Sequence, residues 1–273
     1  QLALRRELKL VVLPLDADGL IDLAAAAQLI NPRTRLLAVS QLSNVLGAWQ
    51  PLTSLLAMAK AHNALTVVDG AQGVVHGRHD VQALGCDFYV FSSHKLYGPD
   101  GLGVLFGRTE ALEQLRPWQF GGGMVLDANY HDARFRSAPL GFEAGTPPIA
   151  SVIGLGATLD YLAGLDQDAV SAHEAALHEY LLKGLEARNG IRLLGKPQLA
   201  LVSFVVEGVH NSDVAHLLTE QGIAVRAGHH CAMPLLKSFE LAGAIRVSLA
   251  LYNDSEDLER FFEALDQALE MLR

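Results

Sequence analysis

Ser92-Ser93-His94-Lys95-Leu96-Tyr97-Gly98-Pro99 follows directly on the apolar run Phe88-Tyr89-Val90-Phe91. Such a run reads as an interior strand, so it delivers Lys95 to the carboxyl end of a sheet, where open α/β sheets bind their ligands. Upstream, a second apolar run over residues 64–68 ends in Asp69-Gly70-Ala71-Gln72, which puts a carboxylate at the same kind of position. A lysine amine that can form a Schiff base, with an aspartate for a pyridinium nitrogen, is what pyridoxal 5'-phosphate (PLP) requires of its protein. Lys95 alone would read as a surface lysine in a Gly/Pro turn. Its pairing with Asp69 carries the chemistry.

Composition bounds the rest. The 273 residues can bury a sizeable core, and half of them are hydrophobic. A net charge of -9 argues against nucleic acid or an anionic membrane as the main partner. No apolar run approaches the ~20 residues of a membrane span. Two cysteines, Cys86 and Cys231, cannot build a disulfide framework, which fits a reducing cytoplasm.

Along the chain, residues 9–15, 35–40, 64–68, 88–91 and 103–106 read as strands, and 22–30 and 52–62 as helices. That alternation predicts an α/β fold with a mainly parallel, helix-covered sheet. Residues 118–148 are rich in Gly, Pro and polar residues and read as a long irregular stretch of functional or interface type. Helices at 150–162, 168–188, 212–221 and from 255 alternate with strands at 199–206, 223–225 and 244–249. These elements predict a smaller α+β domain. The boundaries are a large domain over 1–158 and a small C-terminal domain over 159–273.

A second reactive feature is Arg226-Ala227-Gly228-His229-His230-Cys231-Ala232-Met233-Pro234. Cys231 falls in a polar turn, where Arg226, His229 and His230 make the surroundings electropositive and favour the nucleophilic thiolate. Cys86 opens a strand and reads as a small buried hydrophobe. No metal site is read at His229-His230-Cys231, because adjacent ligands rarely converge on one ion and no second spaced pair is present. Arg246, on an apolar strand, is either an edge arginine facing water or a planar fork for a carboxylate. Asn44 and Gln72 follow apolar strands as loop caps or cofactor partners. Ser92, His94 and Thr146 are candidate phosphate ligands as a group. His62, His76 and His79 read as ordinary surface residues.

Val68-Asp69-Gly70-Ala71-Gln72, Ser92-x-His94-Lys95-Leu96-Tyr97-Gly98-Pro99, Phe142-Glu143-Ala144-Gly145-Thr146-Pro147 and the Arg226–Pro234 stretch together resemble the motifs of cysteine desulfurases. The likeness is to the SufS/CsdA-type branch within fold type I PLP enzymes, and it runs in one order from near residue 8 to the C-terminus. The resemblance implies that Lys95 carries the cofactor as a Schiff base and moves protons. Asp69 would pair with the pyridinium nitrogen and Gln72 with the phenolic oxygen. Ser92, His94 and Thr146 would hold the phosphate, Thr146 from the other subunit of a homodimer. Arg246, helped by Asn44, would hold the carboxylate of L-cysteine. Cys231 would take the sulfur as a persulfide, with Arg226 near it, leaving L-alanine.

The sulfur would pass to an acceptor of SufE type, for example for iron–sulfur cluster assembly. Ser93 stands where the family has glycine. The family's upstream segment, with a Gly/Thr-rich phosphate turn and a histidine stacked on the ring, has no counterpart here, so the chain reads as N-terminally incomplete. The alternatives are a selenocysteine lyase or cysteine sulfinate desulfinase, or an inactive dimerisation scaffold.

Overall fold

The computed structural model describes residues 1–77 and 79–273, and internal contacts divide the chain into two units. Unit 1 comprises Gln1–Leu13, Leu23–Gln41 and Pro51–Leu165, and unit 2 comprises Pro14–Asp22, Leu42–Gln50 and Asp166–Arg273. Two short segments from the first half thus join the C-terminal unit, an interleaving that a linear reading does not produce.

Unit 1 opens with the single turn α1 (Leu2–Arg5). The strand expected at 9–15 does not form. Leu8, Leu10 and Val12 are exposed, and the one bridge among residues 9–15, Leu15 to Ile21, lies wholly within unit 2. Apolar and β-branched residues become a strand only where a neighbouring backbone pairs with their N–H and C=O groups, and residues 9–13 have no such neighbour among the described residues. The remaining elements are α2 (Leu23–Leu29), β1 (Leu36–Ser40), α3 (Leu52–Ala61), β2 (Leu65–Asp69), α4 (Val81–Leu84), β3 (Phe88–Ser92), β4 (Gly103–Gly107), α5 (Thr109–Leu112), β5 (Val125–Ala128), β6 (Ala133–Phe135) and α6 (Ile149–Ala163). The irregular stretch at 118–148 therefore contains a small hairpin, β5–β6, whose mostly exposed side chains leave no hydrophobic alternation to read.

The sheet of unit 1 runs β1-β2-β3-β4, with β1, β2 and β3 parallel and β4 antiparallel to β3. Helix α3 covers β1 and β2 with Leu52, Leu55, Leu56 and Ala59. Register pairs Ser40 with Asp69 and Asp69 with Val90, so the carboxyl ends of three strands line one edge. At the opposite end of β2 and β3, the buried Asp87 carboxylate accepts hydrogen bonds from the Thr66 N–H and hydroxyl, both at 2.8 Å. Arg108 donates to its other oxygen through Nε at 3.2 Å and Nη2 at 2.6 Å.

Unit 2 contains α7 (Gln167–Glu186), β7 (Ile191–Leu193), β8 (Leu201–Val206), α8 (Asn211–Glu220), β9 (Arg226–Gly228), α9 (Met233–Ser238), β10 (Ala244–Ser248) and α10 (Ser255–Leu272). Its sheet is antiparallel in the order β7-β8-β10-β9. Every residue of β8 is buried, and Phe204, Ile245, Leu181, Leu185, Leu258 and Leu265 form the core with it. A capping box between Asp254 and Asp257 starts α10. The strand expected at 223–225 is displaced. Ile223 and Val225 pack against the core, but ladder pairing with β10 begins at Arg226. Apolar character marked burial there; hydrogen-bond register marked the strand.

Asp87→Ala should cost ~3–5 kcal/mol in urea unfolding, because it leaves the Thr66 donors and the Arg108 fork unpaired in a half-dry site. A loss below ~1 kcal/mol, the scale of one exposed pair, would contradict that reading.

Candidate functional site

In unit 1 the parallel register assembles one group of residues. Asp69 ends β2, Ser92 ends β3, and a 3-10 turn over Ser93–Leu96 carries His94 and Lys95 straight from that strand end. The turn closes with Tyr97 in the left-handed region at φ 61°, and Gly98 N–H bonds back to Ser93 O at 3.0 Å. Asp69 accepts from Ala71 N–H through one carboxylate oxygen at 2.9 Å. That bond turns the chain sharply and leaves the other oxygen for a ligand. Gln72 follows on the same turn, half-buried. Thr146 is exposed and makes no hydrogen bond to these residues among those described. Strand register and chain continuity set Asp69, Gln72, Ser92, His94 and Lys95 at one sheet edge.

In unit 2, Asn44, Arg226, Cys231 and Arg246 form the second group. Arg246 and Arg226 are direct partners across β10 and β9. Like charges placed opposite each other in a ladder repel, and neither has an acidic partner among the described residues. Arg246 donates through Nη1 to Asn44 O at 2.9 Å, while its buried Nε has no partner among the described residues. Burial first, and Arg226 second, lower the Arg246 pKa. A guanidinium does not lose its proton in proteins, so a desolvated fork remains that an anion would complete. Asn44 Nδ2 donates to His230 O at 2.8 Å, and His230 Nε2 donates to Ala244 O at 2.9 Å. His230 is buried, a placement its polar neighbours in sequence did not suggest.

These bonds hold His230 and Cys231 in the left-handed region at φ 50° and 59°, a conformation that β-carbon-bearing residues rarely adopt. The Cys231 thiol is exposed, with Arg226 Nη2 3.8 Å from its sulfur. Cys86 is buried, and burial pushes its thiol pKa up. Reactivity is therefore divided between the two cysteines as their sequence surroundings indicate.

Sequence reasoning passed over Gln41, Tyr89 and His79. Gln41 and Tyr89 are buried and joined by a hydrogen bond of 2.6 Å, and His79 has both ring nitrogens engaged although it reads as a plain surface residue. The available signal was a glutamine closing an apolar strand beside a turn that holds two glycines, Gly70 and Gly73.

The class-V aminotransferase model matches residues 1–261. The chain belongs to that family. A probable cysteine desulfurase of Pseudomonas putida KT2440 is 76% identical over all 273 residues, which span 68% of its length. The cysteine desulfurase of Klebsiella pneumoniae 342 is 45% identical, with 97% of this chain covering 66% of that protein. Among solved structures, the cysteine desulfurase CsdA of Escherichia coli in its S-sulfonic acid form superposes with a TM-score of 0.96 at 43% identity, covering 99% of this chain and 68% of that one. The apo cysteine desulfurase of Thermococcus onnurineus NA1 gives 0.94 at 34% identity. The architecture is that of the PLP-dependent fold type I enzymes, with PLP as the family's cofactor.

The residues present suit that cofactor. One sheet edge offers an amine for its aldehyde, a carboxylate oxygen for its ring nitrogen, and a hydroxyl and an imidazole for its phosphate. The buried, unpartnered Nε of Arg246 is a donor suited to the carboxylate of an amino acid.

Because the Ala244 carbonyl can only accept, His230 Nε2 carries a proton. Burial, then the charges of Arg246, Arg226 and His229, hold its pKa below the ordinary 6.5. The unfolded chain therefore binds more protons just below that value, and stability contributed by His230 is present above it and lost as pH falls. Unfolding free energies from urea melts between pH 8 and 5 should decline in the wild type by up to ~1.4 kcal/mol per pH unit more than in His230→Asn. Parallel curves for the two proteins would refute the lowered pKa of His230.

Proposed function

We propose that the chain carries the catalytic residues of a PLP-dependent cysteine desulfurase, converting L-cysteine to L-alanine with the sulfur held as a persulfide on Cys231. The observation that carries this reading is the exposed Cys231 thiol 3.8 Å from a guanidinium nitrogen of Arg226, in a class-V aminotransferase chain. Amino-group transfer needs no thiol, whereas sulfur transfer needs a nucleophile that is a thiolate near neutral pH.

Bound PLP supplies the electron sink that lets the carbon skeleton of the amino acid take up negative charge. Lys95 provides the amine that anchors the cofactor and moves protons to and from the substrate carbons. Asp69 keeps the ring nitrogen protonated through its free carboxylate oxygen, and Gln72 bonds the phenolic oxygen. Ser92 and His94 bind the phosphate. Arg246 takes the substrate carboxylate on its Nε and remaining Nη, and Asn44 fixes the guanidinium from its other side. Cys231 forms an S–S bond to the substrate sulfur as the Cβ–S bond breaks. The electron pair of that bond stays with carbon, and protonation there yields alanine. Arg226 stays beside the Cys231 sulfur before and after transfer.

Three further parts belong to the same reading. The protein acts as a homodimer with 142–147 in its interface, so that the exposed Thr146 reaches the partner's phosphate site. The sulfur acceptor is a protein of SufE type. The cytoplasm, where a thiol stays reduced, is the compartment that suits this work. The exposed thiol favours this reading over an inactive scaffold, which needs no nucleophile.

Borohydride reduction of the PLP-loaded protein followed by peptide mapping should place the label on Lys95, and label on Lys60 or Lys237 would overturn the assignment. Cys231→Ala should stay yellow yet release little sulfur to an acceptor protein, and Cys86→Ala should behave as wild type. Lys95→Ala should lose the ~10²–10⁴-fold rate contribution of a positioned acid–base group as well as the covalent anchor.

A further inference from the structure

The turn that carries Asp69 and Gln72 is shaped from beneath by side chains outside the site. Gln41 N–H bonds Asp69 O at 2.8 Å, and Gly70 N–H bonds Val90 O at 2.8 Å, so the turn leaves the sheet from a fixed point. Below it, Tyr89 hydroxyl donates to Gln41 Oε1 at 2.6 Å, and Gln41 Nε2 lies 3.3 Å from His79 Nδ1. His79 Nε2 lies 2.9 Å from Gly73 O, so it donates there, and its Nδ1 is the acceptor for Gln41. The three side chains thus form one directed chain of hydrogen bonds ending on the turn itself.

Packing completes the arrangement. A β-carbon on Gly70 would overlap the Tyr89 ring, and one on Gly73 would overlap the Gln41 side-chain amide. Both glycines are buried. The turn therefore lies in direct contact with the two side chains and cannot sink or rotate without breaking their bond. A buried glutamine and a buried tyrosine that satisfy each other are costly to disturb, since either one alone leaves an unpaired polar group.

We propose that Gln41 and Tyr89, with His79 as the third member, are positioning residues that set where Asp69 and Gln72 present their polar atoms. The inference rests on the assignment of Asp69 and Gln72 to the cofactor ring made above. Neither Gln41 nor Tyr89 touches the ligand in this account. They act through the backbone of 69–73.

The test uses Gln41→Met, which keeps volume and removes both side-chain hydrogen bonds, and Tyr89→Phe, which removes only the hydroxyl and remains informative if the first variant folds poorly. Amide hydrogen exchange in the apoprotein should accelerate about tenfold for residues 70–75, the scale of one lost hydrogen bond, while the centres of β1 and β2 keep their protection. In the full-length holoprotein, the pH titration of the visible PLP absorption band should shift in the direction given by Asp69→Ala, by a smaller amount, and PLP should dissociate faster. Unchanged exchange at 70–75 in both variants would overturn the proposal without reference to the cofactor. So would faster exchange with an unshifted band in both variants when Asp69→Ala does shift it. If Asp69→Ala itself leaves the band in place, the fault lies with the Asp69 assignment, and the positioning claim falls with it.

Discussion

Three parallel strands that end in register are the constraint on which the first unit depends. Because β1 pairs with β2 and β2 with β3 in the same direction, their last residues must share an edge. A parallel ladder leaves the backbone groups beyond its carboxyl ends unpaired, and the chain meets that need with tight turns. Asp69 caps its own turn through Ala71, and the 3-10 turn of Ser93–Leu96 folds back through Gly98. Turns held this closely present short side chains and one lysine without long, mobile loops. The same rigidity explains why glycine is needed where Tyr89 and Gln41 press on the turn from below.

The second unit solves a different electrostatic problem. Its antiparallel register sets Arg226 against Arg246, and burial strips water from part of the latter. A like-charged pair of this kind lowers stability, and an anion bound beside it would relieve that repulsion. Asn44 and His230 brace it. Arg246 leans on the Asn44 carbonyl, Asn44 holds the His230 carbonyl, and His230 is tied to Ala244. Through these bonds the turn bearing Cys231 is held in a conformation that the residues alone would not favour.

Much of this was legible in the residues because the relevant physics is local. Apolar runs of strand length announced β1, β2, β3 and β8, and the residues just beyond them announced the carboxylate, the amine, the hydroxyl and the imidazole at that edge. The polar, arginine-bearing turn around Cys231 distinguished it from Cys86 before any coordinates. Where hydrophobicity and hydrogen-bond pairing part company, the reading failed. Residues 9–15 have a strand's composition but pair only at their far end, through Leu15, while 223–225 have the composition and yield the ladder to Arg226. The β5–β6 hairpin escaped notice because its short strands bury little.

The sequence by itself determined the family and the residue types at strand ends and turns on which its chemistry draws, since both are local. Only the tertiary structure decided that residues 42–50 belong with the C-terminal unit and that Arg226 faces Arg246. It alone made His230 a buried brace and joined Gln41, Tyr89 and His79 beneath the turn of Asp69. These are contacts between residues far apart in the chain, fixed by ladder register and by which side chains fill a common interior, and neither is written in any one stretch of sequence.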